Sequence, residues 1–381
     1  MISRIKVSNF KSLLDFEIKD MGHFVCLIGL NGSGKTTILQ FFDFIRHVLL
    51  GDISDWLNDN KWQIYDLLHF ENKRKSVIEF EIDVLLPSGL KQTWEARFNT
   101  QELRCTYERL YEITSDGQKE LILSYEDKQL KVKKDPQAKL PLDFSYTGSI
   151  LRFLKEEDLY KELSGLKIFG ILNSKAISQS YQSRGDIKDF EVDSDGHGLV
   201  GFISNLSKEN QEQLYHKIHD FYSPLKRFDI KKQRFGWKTL LLSELERVYF
   251  DSSHLSDGTL RLFVILSQLY SHNNVILFDE IENGFNQELI EKLLKTLLDF
   301  NGKQVFVTTH SALFLNYMDD DTAKSSVYII FKNGVNTMAQ RFFDSNLEAE
   351  MPFIGPGEIM SSLNLVDYSK RLAENITKEC K

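Results

Sequence analysis

Hydrophobic and polar positions change period several times along the chain. Ile2, Ile5, Val7 and Phe10 stand among polar neighbours, as in a strand with one buried face. The run Phe24–Ile28 (FVCLI) is continuous and apolar, the pattern of a strand covered on both sides. A glycine-rich turn follows, and then residues 36–50 repeat with the period of a helix. Two more continuous runs, Asn274–Phe278 and Gln304–Thr309, predict further buried strands, with helices over about 257–270 and 286–300. Between about Ser76 and Lys134 the period is two, and turn signals at Pro87-Ser88-Gly89 and Asp116-Gly117 predict an antiparallel meander. Helical patterns dominate from about Ser149 to Tyr222, broken by a short strand over Leu166–Ile171. Residues 225–242 are again strand-like, SSVYIIFK and VNTMAQRFF predict a hairpin, and 357–379 reads as helix. Buried strands alternating with helices predict an α/β fold with a parallel core sheet, to which the meander adds an antiparallel β subdomain and the stretch before residue 270 a helical one.

The length, 381 residues, suits two or three folding units or one large domain with an insert. The expected division is an N-terminal part of the core (1–50), an inserted β and helical region (51–240), the C-terminal part of the core (241–345) and a helical tail (346–381). A formal net charge of −8 excludes general nucleic-acid binding by bulk charge; a DNA contact has to come from a local patch. Cys26, Cys105 and Cys380 show no CxxC spacing, so neither a zinc site nor a disulfide framework is indicated. Free thiols, the absence of an apolar run of ~18–20 residues and the absence of a signal-like apolar block predict a cytoplasmic protein without membrane contact. No heptad pattern is sustained, so no long coiled-coil arm is expected.

Chemistry is concentrated at four places. Gly29-Leu30-Asn31-Gly32-Ser33-Gly34-Lys35-Thr36, followed by Thr37, fits G-x-x-x-x-G-K-[ST] between a buried strand and a helix. Glycines let the backbone wrap phosphates, Lys35 reaches the β- and γ-phosphates, and the Thr36 hydroxyl is a ligand for Mg²⁺. Asp279 and Glu280 directly follow a buried strand; Asp279 suits Mg²⁺, and Glu280 suits a general base on the attacking water. Strand alternation is expected to send these two carboxylates to different sides. His254–Thr259 (HLSDGT) precedes a helix that Ser256 can cap. His310 ends a third buried strand, where it can touch a γ-phosphate or simply lie at the surface.

In this order the four resemble the motifs of an ABC-type ATPase head. LSDGT resembles the signature LSGGQ, with Asp257 and Thr259 as departures, and DEIENG resembles the Walker B and D-loop of the RecF/SMC/OLD-like group. The opening line Ile5-Lys6-Val7-Ser8-Asn9-Phe10-Lys11-Ser12 is similar to that group's "I…NFKS". The resemblance covers about residues 1–50 and 240–345. It implies that Lys11 and Ser12 line the nucleotide, that ATP is sandwiched between two subunits, and that Ser256 and Gly258 act on the partner's γ-phosphate. Asn283 and Gly284 would lie at the D-loop, and Gln179, Gln182 and Gln63 are candidates for a Mg²⁺-contacting glutamine. Stand-alone heads of this kind resemble ATPase subunits of bacterial anti-phage systems.

The expected function is an Mg²⁺-dependent ATPase that dimerises around ATP and controls a separate effector or nuclease subunit. One alternative is a RecF-like repair ATPase binding DNA; another is an ATP-dependent scaffold with little turnover. Lys226, Arg227, Lys231, Lys232, Arg234 and Lys238, interleaved with Phe228, Phe235 and Trp237, could meet a phosphate backbone, although the solvated face of a hairpin is favoured. Asp193-Ser194-Asp195-Gly196 superficially resembles a metal-binding DxD and is read as a turn.

Overall fold

The computed structural model describes all residues except 73, 115, 127, 133–134, 142–144, 156, 183–190, 246–247, 301, 344–354 and 380–381; for 135–141 and 377–379 it describes the backbone alone. In chain order the first elements are β1 (Ile2–Ser8), β2 (Phe16–Ile18), β3 (Phe24–Ile28), α1 (Lys35–Leu50) and α2 (Ile53–Asp59). Six strands follow, β4 (Val77–Leu85), β5 (Lys91–Asn99), β6 (Arg104–Ile113), β7 (Lys119–Glu126), β8 (Gln129–Val132) and β9 (Asp135–Pro141), and then α3 (Asp158–Ser164). Next come β10 (Leu166–Phe169), α4 (Ser174–Ile177), β11 (Tyr181–Gln182), α5 (Leu199–Asn205) and α6 (Lys208–Phe221). They lead to β12 (Arg227–Lys232), β13 (Trp237–Leu245), β14 (Val248–Asp251) and α7 (Asp257–Ser267). The remainder is β15 (Val275–Phe278), α8 (Gln287–Leu298), β16 (Gln304–Thr308), α9 (Ala312–Asn316), α10 (Asp320–Ser326), β17 (Val327–Asn333), β18 (Asn336–Arg341), α11 (Pro356–Ser362) and α12 (Leu365–Glu379).

Two compact units result. The first comprises Met1–Leu166, Asn274–Leu277 and Gly302–Lys381. It holds a run of adjacent strands in the order β15-β16-β3-β17-β18. β16 and β17 both pair with β3 in parallel, Thr308 beside Leu27 and Val327 beside Cys26, and β18 closes the edge antiparallel to β17. Each residue of β3, β15 and β16 is buried, which is why these strands read as unbroken apolar runs. The second sheet of this unit is antiparallel, in the order β2-β1-β4-β5-β6-β7-β8-β9. β1 joins it through Ile5 opposite Ile82 and Val7 opposite Phe80. Helix α1 buries Ile38, Phe41, Phe42, Ile45 and Val48 along one face. Phe41 and Phe44 meet Phe10 and Phe80 with ring centroids 5.3–6.5 Å apart, and Phe98 lies 5.1 Å from Phe44. This aromatic cluster fixes α1, and with it the loop that precedes α1.

The second unit comprises Lys167–Asn273 and Phe278–Asn301. Its sheet runs β11-β13-β12, with β14 also paired to β13. Helix α7 is apolar nearly all round; Leu260, Leu262, Phe263, Val264, Ile265 and Leu266 are all buried. Asp193–Gly196 form a turn, closed by Gly196 N–H to Asp193 O at 2.9 Å and Asp193 N–H to His197 O at 2.8 Å. No group of three or more His, Cys, Asp or Glu side chains among the described residues has a metal-binding arrangement. No helix among them is long and apolar enough to cross a membrane.

Candidate functional site

In the first unit, β3 delivers the chain into the loop 29–34 and α1 takes it away. Two glycines are required by geometry. Gly29 has φ +145° and lies against β17, where an added Cβ would meet Ile330 O at 2.2 Å. Gly34 caps α1 at φ +113°, and an added Cβ would meet Thr337 Oγ1 at 2.2 Å. Gly32 also has positive φ, +75°, but faces open space. These conformations favour glycine and leave the start of α1 facing the loop, the arrangement that suits an anion. Gly34→Ala is therefore expected to lower stability by about 2 kcal/mol or more and to weaken nucleotide binding, whereas Gly32→Ala costs less. Denaturant unfolding of the two variants side by side checks this.

Lys35 is 5% exposed, and its ammonium donates to Gly29 O at 2.9 Å and Leu30 O at 3.1 Å. The charge is thus held within the loop's own curve. Ser33 is buried, and its Oγ has no hydrogen-bond partner among the described residues. An orphaned buried hydroxyl costs about 1–3 kcal/mol, which a phosphate oxygen would relieve. Asn31, Gly32 and Thr36 are exposed and Thr37 is half-buried, so the outer rim is open to a ligand.

The loop is buttressed by a residue that no motif marks. Thr337, fully buried in β18, accepts from Lys332 Nζ at 3.0 Å, shares a hydrogen bond with Ser12 Oγ at 2.7 Å and donates to Ser33 O at 3.0 Å. Its backbone N–H donates to Ser12 O at 2.8 Å. Ser12 is thereby fixed beside the phosphate loop. Lys11 adopts φ +48° and donates to Gln40 Oε1 on α1 at 2.8 Å, with its ammonium 3.4 Å from the centre of the Trp62 ring. Burial pulls the Lys11 pKa down to about 8, against the opposing pull of the Asp66 carboxylate. His310 lies past the end of β16, and the preceding Thr309 N–H donates to Leu27 O on β3 at 3.1 Å. The exposed His310 is therefore carried on the strand beside the one that feeds the loop.

In the second unit, β15 ends at Phe278, whose ring stacks on Phe169 at 5.3 Å, and the Asp279 N–H donates to Phe169 O at 2.9 Å. Asp279 and Glu280 thus lie beyond the strand. Glu280 has φ +49°, so a turn separates the two carboxylates where strand alternation was expected to do so. Pleating acts only while the backbone stays extended. Glu280 Oε2 accepts from Asn283 Nδ2 at 2.5 Å, a contact that holds the carboxylate in place.

Ser256 caps α7, accepting from Thr259 N–H at 3.2 Å, and is exposed. Gly258 is buried, and an added Cβ there would meet Gly284 O at 2.3 Å. Arg261 Nη1 donates to Asn283 O at 3.0 Å and Nη2 to Leu172 O at 3.3 Å. Helix α7 is therefore packed on the loop that follows Glu280. Gln63 caps the turn at 64–67, Gln179 is exposed, and Gln182 Nε2 donates to Phe235 O at 3.2 Å. None of these contacts singles out one of them for Mg²⁺. In the basic stretch Phe228 is buried, Lys226, Arg227, Lys231, Lys232 and Arg234 are exposed, and Phe235 is 87% exposed at the tip between β12 and β13.

Residues 24–316 match the family model described as "AAA domain, putative AbiEii toxin, Type IV TA system". The chain belongs to this family. An "ATP/GTP phosphatase" of Helicobacter pylori is 22% identical over 388 residues, spanning 91% of this chain and 97% of that protein. An "OLD nuclease" of Thermus scotoductus is 33% identical over 84 residues, 22% of this chain and 15% of that protein. Among solved structures, an Smc head bound to the C-terminal winged-helix domain of ScpA superimposes with a TM-score of 0.55 at 14% identity, covering 91% of this chain and 99% of that one. The fold is that of an ABC-type P-loop ATPase head of the SMC/OLD-like kind.

Proposed function

We propose that the chain binds ATP with Mg²⁺, hydrolyses it, dimerises around it and controls a separate effector in bacterial anti-phage defence. The observation that carries this reading is the buttressed loop 29–36, with glycines that geometry demands, a buried lysine and an orphaned serine hydroxyl. In this reading the backbone N–H groups of Asn31 to Thr37 cradle the phosphates, and Lys35 neutralises their charge. Thr36 and Asp279 would hold Mg²⁺, which when bound screens the phosphate oxygens. Glu280 takes the proton of the attacking water, steadied by Asn283. His310 touches the γ-phosphate, and Lys11 and Ser12 line the nucleotide. Ser256 and Gly258 belong to the face offered to a second copy, where Ser256 meets that copy's nucleotide. The phosphatase name of the Helicobacter pylori relative supports turnover, and the toxin–antitoxin description of the family is compatible with a partner protein.

A second reading, DNA binding of the RecF type, is favoured by the cationic hairpin with its uncovered Phe235. Phosphate-release assays with and without DNA separate the two. Basal hydrolysis, indifferent to DNA, with a doubled mass in magnesium and a non-cleavable ATP analogue, is expected. DNA-stimulated hydrolysis favours the second reading, and binding without turnover leaves only a scaffold.

A further inference from the structure

His310 stands between two anchors in the first unit. On one side Thr309 is fully buried, and its N–H donates to Leu27 O on β3 at 3.1 Å. On the other, Ser311 N–H donates to Thr309 Oγ1 at 3.0 Å, Phe314 N–H donates to Ser311 O at 3.1 Å, and α9 begins at Ala312. Phe314 and Leu315 are fully buried. The histidine is exposed, but its backbone follows these neighbours, so its place depends on where α9 sits.

What holds α9 comes from beyond the residues that the family model matches. Helix α11 packs on α9 within the same unit. The two backbones meet at the buried Gly357. A Cβ there would lie 2.2 Å from Ala312 O and equally near Asn316 Oδ1, well inside the 3.0 Å that Cβ atoms keep from such neighbours. Gly357 lies inside α11 and its φ is not positive, so backbone conformation does not call for glycine. Alanine is the better helix former, and close approach alone accounts for its absence. Helix α11 is itself fixed: Ile359 and Met360 are buried, Ile359 N–H donates to Gly355 O at 3.0 Å, and Ser361 Oγ donates to Gly357 O at 2.8 Å.

We propose that Gly357 is a positioning residue for ATP hydrolysis: by letting α11 sit directly on the start of α9, it sets where His310 meets the γ-phosphate. The proposal rests on the reading of His310 given above. Gly357 acts through α9, whereas the phosphate loop is braced by Thr337, so it governs turnover and leaves ATP binding alone. A displacement of about 1 Å at a group that meets the reacting phosphate can cost up to ~10²-fold in rate.

The test combines steady-state phosphate release with calorimetric titration of ATP and magnesium, on the full chain and its variants. Gly357→Ala is expected to lower kcat about tenfold or more with ATP affinity unchanged. His310→Ala is expected to lower kcat as well, and the double variant to be no slower than His310→Ala alone, since both changes remove one contact. Normal kcat in a folded Gly357→Ala overturns the proposal. Losses that multiply in the double variant overturn it too, because Gly357 then acts elsewhere. Should Gly357→Ala not fold, Ile359→Val loosens the same helix by one methylene and decides in its place: a kcat lowered only while His310 is present supports the proposal, and a normal kcat overturns it. The parent reading fails separately: if His310→Ala alone turns over normally, His310 does not serve the γ-phosphate, whatever Gly357→Ala does.

Discussion

Lys35→Ala is expected to lose measurable ATP binding while the chain still folds. The side chain is buried, and its ammonium is the cation held inside the curve of the loop. Removing it leaves the phosphates without a charge-assisted donor in a desolvated position. Such bonds are worth about 1.5–3 kcal/mol each, and Lys35 can offer more than one. The expected loss is about 3 kcal/mol or more, over a hundredfold in affinity. The packing of α1 lies on other residues, Ile38 to Val48, so circular dichroism is expected to match the parent chain. Calorimetric titration with ATP decides it: unchanged affinity would exclude residues 29–36 as the phosphate cradle.

Glu280→Gln is expected to retain ATP, stop hydrolysis and accumulate the nucleotide-bound dimer. A glutamine oxygen can still accept from Asn283 Nδ2, and the left-handed backbone at this position is unchanged. What is lost is the ability to take a proton, and general-base catalysis contributes about 10²–10⁴ in rate. Phosphate release should therefore fall by about that factor. Native mass measurement with ATP and magnesium is expected to show two copies for this variant and a mixture of one and two for the parent chain. Normal turnover in this variant would place the base elsewhere.

Much of the parallel sheet was legible because its signals are local. Phe24–Ile28, Asn274–Phe278 and Gln304–Thr309 read as buried strands without any partner being known, and each is one. The glycine-lysine loop was legible for the same reason, since its chemistry lies in eight consecutive residues. Pairing was not. Alternation marks β1 as a strand with one polar side, yet nothing in it shows that Ile5 lies opposite Ile82. The last helical stretch reads as one helix over 357–379, but it breaks before Leu365, where Asn364 Oδ1 accepts from Val366 N–H at 3.1 Å and starts α12. Helical periodicity persists through such a break, whereas the cap does not announce itself. Thr337 is the furthest from legible: it is an ordinary strand threonine, and only the tertiary path of β18 brings it to Ser12 and Ser33. Gly357 likewise carries no motif, and its closeness to Ala312 emerges only once the chain is folded.

The family match stops at residue 316, and the last recognisable motif residue is His310. Thr337 comes later in the chain and yet donates to Ser33 O within the glycine-rich loop. Motif inventory and working unit therefore have different edges. The final hairpin is a keystone rather than an appendix: a chain cut back to residue 316 keeps Gly29–Thr36 and is expected to lose the bond that braces them.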